Sequence, residues 1–318
     1  MSRTAWRRVR LLAGVVLLAV IGWRLGTGPW IDGLADVTPA SLLVAGLIAL
    51  LTTLGCAVRW CLVARALGDL ELGQNQGVWR ASAEYYRSQF LNTALPGGVL
   101  GDVHRGVRRG QDVADVGLGL RVVVWERAIG QFVQIVLTIL AVLFLPSPIH
   151  FLRAANGLWA MLFGSMVLIS VPLVLRRYAP GLLEPRVGLT VLSASVIVVA
   201  GHVATFIVAA RMAGSTASVT RLVPLALIVL LAMSLPINIG GWGPREGVAA
   251  WLFGLAGLGA GLGLAAAVAY GVMVLVANLP GAGVVLLDWG RRAGLPEAAP
   301  DESRAAVAVG QAARAVRG

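Results

Sequence analysis

Long stretches without charged residues constrain the fold of this chain more than any other feature. Six runs contain no Asp, Glu, Lys or Arg: 37–58, 128–152, 154–175, 187–210, 222–244 and 247–287. Each reaches the roughly 20 residues that an α-helix needs to cross a bilayer. The chain is 58% hydrophobic and only 13% charged, and a soluble domain of its size could not bury so much apolar surface. The strand alternation of an outer-membrane barrel is absent from the sequence. We therefore predict an all-α, polytopic helical membrane protein.

The spans and their orientation follow from the apolar runs and from arginine. We predict about six full spans, at 9–25, 39–64, 120–145, 154–175, 187–211 and 261–287. Arginine is dense in the N-terminal tail, in 65–121 and after the last span, which by the positive-inside rule places these segments in the cytoplasm. Both termini are then cytoplasmic. The net charge of +11 has the same explanation, so we expect no nucleic-acid partner.

Two segments do not read as simple crossings. Residues 78–106 carry arginine at both ends, and 222–258 is too long for one span and is interrupted by Pro and Gly. We predict that each is a broken helical hairpin that enters the membrane and returns. Both contain the pattern L-P-x4-G-x3-R, which begins at Leu95 in the first segment and at Leu235 in the second.

The difference in residue number between the two copies of this motif also places the spans that flank the first copy close to the spans that flank the second. The chain therefore divides into two repeats, each with a span, a broken hairpin and a further span. Repeat A covers about 39–145 and repeat B about 179–287, joined by the span 154–175. One intervening crossing inverts the second copy, which gives the inverted repeat of many secondary transporters. The membrane domain is expected at 1–288, followed by a short cytoplasmic, disordered tail at 289–318.

The breaks themselves predict a polar cavity. Backbone polar groups cannot face lipid unpaired, so a broken helix at membrane depth must be buried by protein or line a watery cavity. Asn residues beside the breaks are candidates to cap the half-helices. The helix-break residues are Asn92, Pro96, Gly97, Gly101, Pro236, Asn238, Gly241 and Gly243.

Charged residues near the breaks are candidate ligands for an anion. Arginine has a fork geometry suited to phosphate, and nearby carboxylates could pair with it or with a cationic headgroup between states. A charged pair inside an apolar span is a candidate functional site. The alternatives are that these residues are ordinary helix ends in water, or an interfacial pair that reaches the lipid headgroups. The candidate substrate-binding residues are Asp102, Arg105, Glu126, Arg127, Arg245 and Glu246.

Catalytic and metal-binding patterns are missing from the sequence. There is no paired-carboxylate metal motif, no nucleophile with an adjacent base, and the three histidines are scattered. Cys56 and Cys61 fall on different faces of one predicted helix. We expect no metal, no cofactor and no catalytic residues.

The motifs around the breaks resemble one known family. "FLNTALPGGVLGDVHRG", "WERAIGQ" and "SLPINIGGWGPREGVAAW" are together similar to the flippase-like transmembrane domain of lysylphosphatidylglycerol synthases, the multiple peptide resistance factors. The resemblance covers about residues 40–288. Family members with the synthase activity carry a large soluble aminoacyl-transferase domain, whereas here only a short Ala- and Arg-rich tail follows. The resemblance therefore implies a stand-alone member, and lysine transfer is not expected.

Three functional hypotheses remain open. The first is a lipid flippase or lipid-binding transporter that moves an anionic or phosphate-bearing lipid between leaflets of the bacterial inner membrane. The second is a membrane enzyme of lipid, hopanoid or glycolipid biosynthesis. The third is an accessory subunit that binds a lipid-biosynthesis partner. The sequence does not specify the oligomeric state.

Overall fold

A computed structural model describes residues 23, 26–69, 77–95, 98–145, 170–171, 173–234 and 243–293. This part of the chain contains ten α-helices, one short 3-10 helix and no strand, which confirms the all-α prediction. The helices are α1 (Gly28–Ala35), α2 (Pro39–Ala66), α3 (Gly77–Ala94), α4 (Leu100–Asp112), α5 (Val116–Phe144), the 3-10 helix Pro180–Leu183, α6 (Pro185–Met212), α7 (Val219–Met233), α8 (Pro244–Leu255), α9 (Ala260–Ala277) and α10 (Pro280–Ala293).

Four segments of the described chain are long and apolar enough to cross a membrane. They are α2, α5, α6 and the run Ala260–Trp289, which joins α9 to most of α10. These coincide with four of the predicted spans. The predicted span 9–25 lies outside the described residues except for Trp23, as does the larger part of 154–175. Large apolar side chains such as Leu43 and Leu47 are exposed on one face of α2, as expected for a surface that contacts lipid.

The long helices begin where local chemistry favours a start. Pro39, Pro185 and Pro244 each occupy the first turn of a helix, where a missing N–H costs no hydrogen bond. Thr38 and Ser41 cap α2 reciprocally, because each side-chain oxygen accepts a hydrogen bond from the other residue's backbone N–H, at 3.2 and 3.1 Å.

The two predicted breaks separate pairs of shorter helices. The first lies between α3 and α4, and the second between α7 and α8. Helices α4, α7 and α8 have 13, 15 and 12 residues, too few to cross a bilayer core of about 30 Å alone. Pro96, Gly97, Pro236, Asn238 and Gly241, which we predicted to form the breaks, lie outside the described residues.

The order of helix types occurs twice along the chain. A long helix, two shorter helices and a further apolar helix follow one another in α2–α5 and again in α6–α9. One shift in residue number relates the start of α4 to that of α8 and the start of α5 to that of α9. This shift is about one helical turn longer than the one that relates Leu95 to Leu235 in the sequence motif. Inversion of the second copy stays a prediction.

Small residues let the members of each half pack closely. A Cβ added at Gly119 of α5 would lie 2.1 Å from the Gly106 carbonyl of α4, and one at Gly263 of α9 would lie 2.4 Å from the Ala249 carbonyl of α8. Gly119 and Gly263 are related by the same shift as the helix starts. Equivalent glycines therefore allow equivalent backbone contacts, as is common between membrane helices.

Candidate functional site

A cavity of about 330 Å³ lies where the two halves meet, and we call it the central cavity. Its wall draws on each helix from α2 to α9. The first half contributes Asp102 and Arg127, and the second half contributes Arg245 and Tyr270. The structure thus brings charged residues from both predicted breaks to one space.

Five ionised residues on one side of the cavity form a continuous cluster, the central ion network. Its members are Arg59, Asp102, Arg105, Glu126 and Arg127. Glu126 lies at the centre and is fully buried. Its Oε1 accepts a 2.8 Å hydrogen bond from Arg59 Nε and a second bond from Arg59 Nη2, and its Oε2 accepts from Arg105 Nη2 at 3.0 Å.

Asp102, in the first turn of α4, is the second acidic member of the network. Its Oδ1 accepts from Ser88 Oγ at 2.9 Å and from Arg105 Nη2 at 3.1 Å. Its Oδ2 accepts from Asn92 Nδ2 at 2.8 Å and from Arg127 Nε at 2.8 Å. Each carboxylate oxygen therefore has at least two donors, and the carboxylate is saturated by protein.

Arg105 does not line the central cavity, although we predicted that it binds substrate there. Its side chain is 1% exposed and its guanidinium stacks between Trp60 and Tyr85, with Cζ 4.6 and 4.0 Å from the ring centroids. Its Nη2 atom joins Asp102 to Glu126. Arg105 therefore holds the carboxylates of Asp102 and Glu126 in place from the side away from the cavity.

Arg127 is the most accessible arginine of the network. Its side chain is 39% exposed, against 8% for Arg59 and 1% for Arg105. Gln131 and Gln134 continue the same face of α5, and all three residues line the cavity. Because residues three and four apart share a helix face, they form a polar stripe along α5.

A second charged pair, Arg245 and Glu246, belongs to the other half. Arg245 Nε donates to Glu246 Oε1 at 2.8 Å, while Glu246 Oε2 accepts from the Gly243 N–H at 2.6 Å. Arg245 lines the cavity, whereas Glu246 is fully buried behind it. A Cβ at Gly271 would lie 2.3 Å from Arg245 Nη2, so the guanidinium occupies space that any other residue at this position would enter.

Tyr270 connects this pair to a residue of α6. The Arg245 Cζ atom lies 5.4 Å from the centroid of the Tyr270 ring. The hydroxyl of Tyr270 is 3.0 Å from His202 Nδ1. His202 is thus a hydrogen-bonded residue of the cavity wall.

The described break residues have local structural roles. Asn92 lies in α3, yet its Oδ1 accepts from the Gly101 N–H at 2.8 Å and so caps α4 across the break. A Cβ at Gly101 would lie 2.0 Å from the Ser88 carbonyl. Gly243 precedes α8 with φ of +114°, a conformation that favours glycine.

Among the described residues, the charges around the cavity do not balance. Four arginines face three carboxylates, which leaves one net positive charge across Arg59, Arg105, Arg127, Arg245, Asp102, Glu126 and Glu246. Desolvation makes an unbalanced charge costly in such a place. The described part of the cavity wall therefore carries a net positive charge.

Sequence reasoning missed Arg59. This arginine lies 20 positions after the start of α2, inside an otherwise apolar span, and also donates to Ser195 Oγ of α6 at 3.2 Å. The signal was available, since an isolated arginine in a membrane segment requires a partner. The partner itself, Glu126, is 67 residues away and could not be identified from helical spacing.

The fold and the site together define a polytopic helical membrane protein with a charged cavity between two similar halves. Residues 9–281 match the sequence model of the lysylphosphatidylglycerol synthase TM region, and the chain belongs to this family. This confirms the resemblance seen in the motifs, and it links the chain to membrane lipid metabolism or transport. No curated protein matches the chain significantly.

Proposed function

We propose that this protein is a lipid transporter that moves a lipid with a single negatively charged phosphate between the two leaflets of the bacterial inner membrane. The observation that carries the proposal is the central cavity itself. It is about 330 Å³, lies between apolar membrane helices, and has one excess positive charge. An anionic headgroup would neutralise that charge.

Arg127 is the residue that we propose makes first contact with the phosphate. It is exposed to the cavity and already holds a carboxylate, Asp102, with its Nε atom. A phosphate oxygen can replace that carboxylate in the same fork geometry. Because Asp102 keeps its bonds to Arg105, Ser88 and Asn92, the exchange leaves no unpaired buried charge.

Arg245 supplies a second positive group from the other half of the molecule. A lipid phosphate held between Arg127 and Arg245 would contact both halves, so a movement of one half against the other would change its access. We infer an alternating-access mechanism from this placement and from the predicted inverted repeat. The mechanism requires no chemical step and no cofactor.

Leaflet exchange in proteoliposomes tests the proposal. Purified protein is reconstituted with acyl-labelled phosphatidylglycerol, and the accessible fraction of label is followed by chemical quenching. We expect exchange by the wild type and about a tenfold or greater loss in Arg127→Gln and Arg245→Gln, since hydrogen bonds to charged groups contribute about 1.5–3 kcal/mol.

Arg121→Gln is the matched control for this experiment. Arg121 lies on the same helix as Arg127, but its side chain is 65% exposed and pairs only weakly with Asp115, at 3.6 Å. Its replacement should leave exchange unchanged. If folded wild-type protein exchanges no anionic lipid, the transport proposal fails and the accessory or enzymatic alternative takes its place.

A further inference from the structure

The central cavity holds neutral hydrogen-bonding groups that the phosphate alone does not use. Gln131 and Gln134 follow Arg127 along α5 by four and seven residues, or about 6 and 10 Å of helix. Both side chains are half-buried and line the cavity. Within the described part of the chain, neither side-chain amide has a hydrogen-bond partner.

Further amides and hydroxyls line the same cavity from other parts of the chain. Gln89 of α3 uses its Oε1 to accept from Thr53 at 3.1 Å, which leaves its two N–H groups available. Asn278, after α9, and Ser234, after α7, also line the cavity. An amide both donates and accepts, and therefore matches a hydroxyl, which does the same.

The carboxylates of the cavity wall, by contrast, are already occupied. Asp102 accepts from four side chains, and Glu126 accepts from two arginines. When the phosphate takes Arg127, Asp102 Oδ1 keeps its bonds from Ser88 and Arg105 and Oδ2 keeps its bond from Asn92, and the surrounding charge is positive. An amine-bearing headgroup would enter without a partner, at the cost of desolvating its charge.

We infer that the cavity selects a phosphodiester lipid whose headgroup bears hydroxyls and no amine, such as glycerol, inositol or a sugar. Arg127 holds the phosphate, and Gln131 and Gln134 bind the hydroxyls beyond it. This inference rests on the proposed transport function and specifies its substrate class. A site built to bind a hydroxyl discriminates strongly against an analogue that lacks it.

Three lipids with the same labelled acyl chains test this inference in proteoliposomes. Phosphatidylglycerol has the charge and the hydroxyls, phosphatidylmethanol has the charge alone, and phosphatidylethanolamine adds an amine. We expect the wild type to exchange phosphatidylglycerol at least fivefold faster than either of the others. The double variant Gln131→Leu/Gln134→Leu should exchange phosphatidylglycerol as slowly as the wild type exchanges phosphatidylmethanol.

Gln111→Leu is the matched control, because Gln111 is exposed near the end of α4 and does not line the cavity. It should keep the wild-type preference. Equal wild-type exchange of phosphatidylglycerol and phosphatidylmethanol would overturn the hydroxyl inference while leaving anionic transport intact. Equal exchange of phosphatidylethanolamine would overturn the exclusion of amines. A double variant that keeps the preference would show that Gln131 and Gln134 do not bind the headgroup. If the wild type exchanges none of the lipids, both this inference and the proposed transport function fail.

Discussion

The central ion network predicts a large destabilisation when Glu126 loses its charge. In Glu126→Gln the side chain keeps its shape, but Arg59 and Arg105 lose the carboxylate between them. Both arginine side chains are less than one-tenth exposed, so water cannot replace that partner. Removing one member of a buried ion pair costs about 3–5 kcal/mol, and we expect a loss near the lower value because glutamine can still accept one hydrogen bond.

Reversible unfolding by sodium dodecyl sulfate in mixed micelles, followed by circular dichroism, measures this loss. Arg121→Gln serves as the control and should change the free energy of unfolding by less than about 1 kcal/mol, as for other exposed pairs. The double variant Arg59→Met/Glu126→Gln should be more stable than the sum of its single changes, by about 1 kcal/mol or more. A Glu126→Gln loss no larger than the control, or strict additivity in the double variant, would refute the reasoning.

Three further predictions follow from the packing. Gly271→Ala places a Cβ 2.3 Å from Arg245 Nη2, so the guanidinium must move and exchange of anionic lipid in proteoliposomes should fall at least severalfold. Gly263→Ala meets backbone at 2.4 Å and should destabilise the protein by about 1–3 kcal/mol in the micelle assay, whereas Gly46→Ala, with open space around it, should not. Asp288→Asn weakens the 2.6 Å contacts that tie α10 to arginines of α3 and α4, and should increase amide hydrogen exchange in α10.

Helix positions were predictable because they follow from local sequence. Apolar runs gave α2, α5, α6 and the run Ala260–Trp289 within a few residues, since a membrane helix must be apolar over most of its length. The interruptions between α3 and α4 and between α7 and α8 were predictable because Pro and Gly are poor helix formers. In each case the residues that predict the feature lie within the segment concerned.

Long-range partners could not be predicted in the same way. The Arg59–Glu126 pair joins α2 to α5, and nothing in either segment specifies the other. The position of Arg105 behind the cavity wall could not be predicted either, because Trp60 of α2 and Tyr85 of α3 enclose its guanidinium. Whether an arginine faces a cavity or supports its wall depends on such neighbours.

The sequence motif and the helix starts give two different registers for the repeat. The L-P-x4-G-x3-R pattern aligned Arg105 with Arg245. Alignment of the starts of α4 and α8 instead pairs Asp102 with Glu246, each the third residue of its half-helix. Both carboxylates lie in a first turn, where the helix dipole favours negative charge. The acidic residue is therefore the shared element of the two halves, and the arginines around it differ.

We predict that Asp102, at this shared acidic position, competes with the lipid phosphate for Arg127. In Asp102→Asn, Arg127 loses the carboxylate that it holds, and the cavity gains a second net positive charge. We expect anionic lipid to bind several-fold more tightly, because the phosphate no longer has to displace a carboxylate. Binding can be measured by quenching of tryptophan fluorescence with brominated phosphatidylglycerol in detergent. Asp115→Asn, which alters an exposed pair with Arg121, should leave the affinity unchanged. Equal or weaker binding by Asp102→Asn would show that Arg127 does not exchange Asp102 for the phosphate.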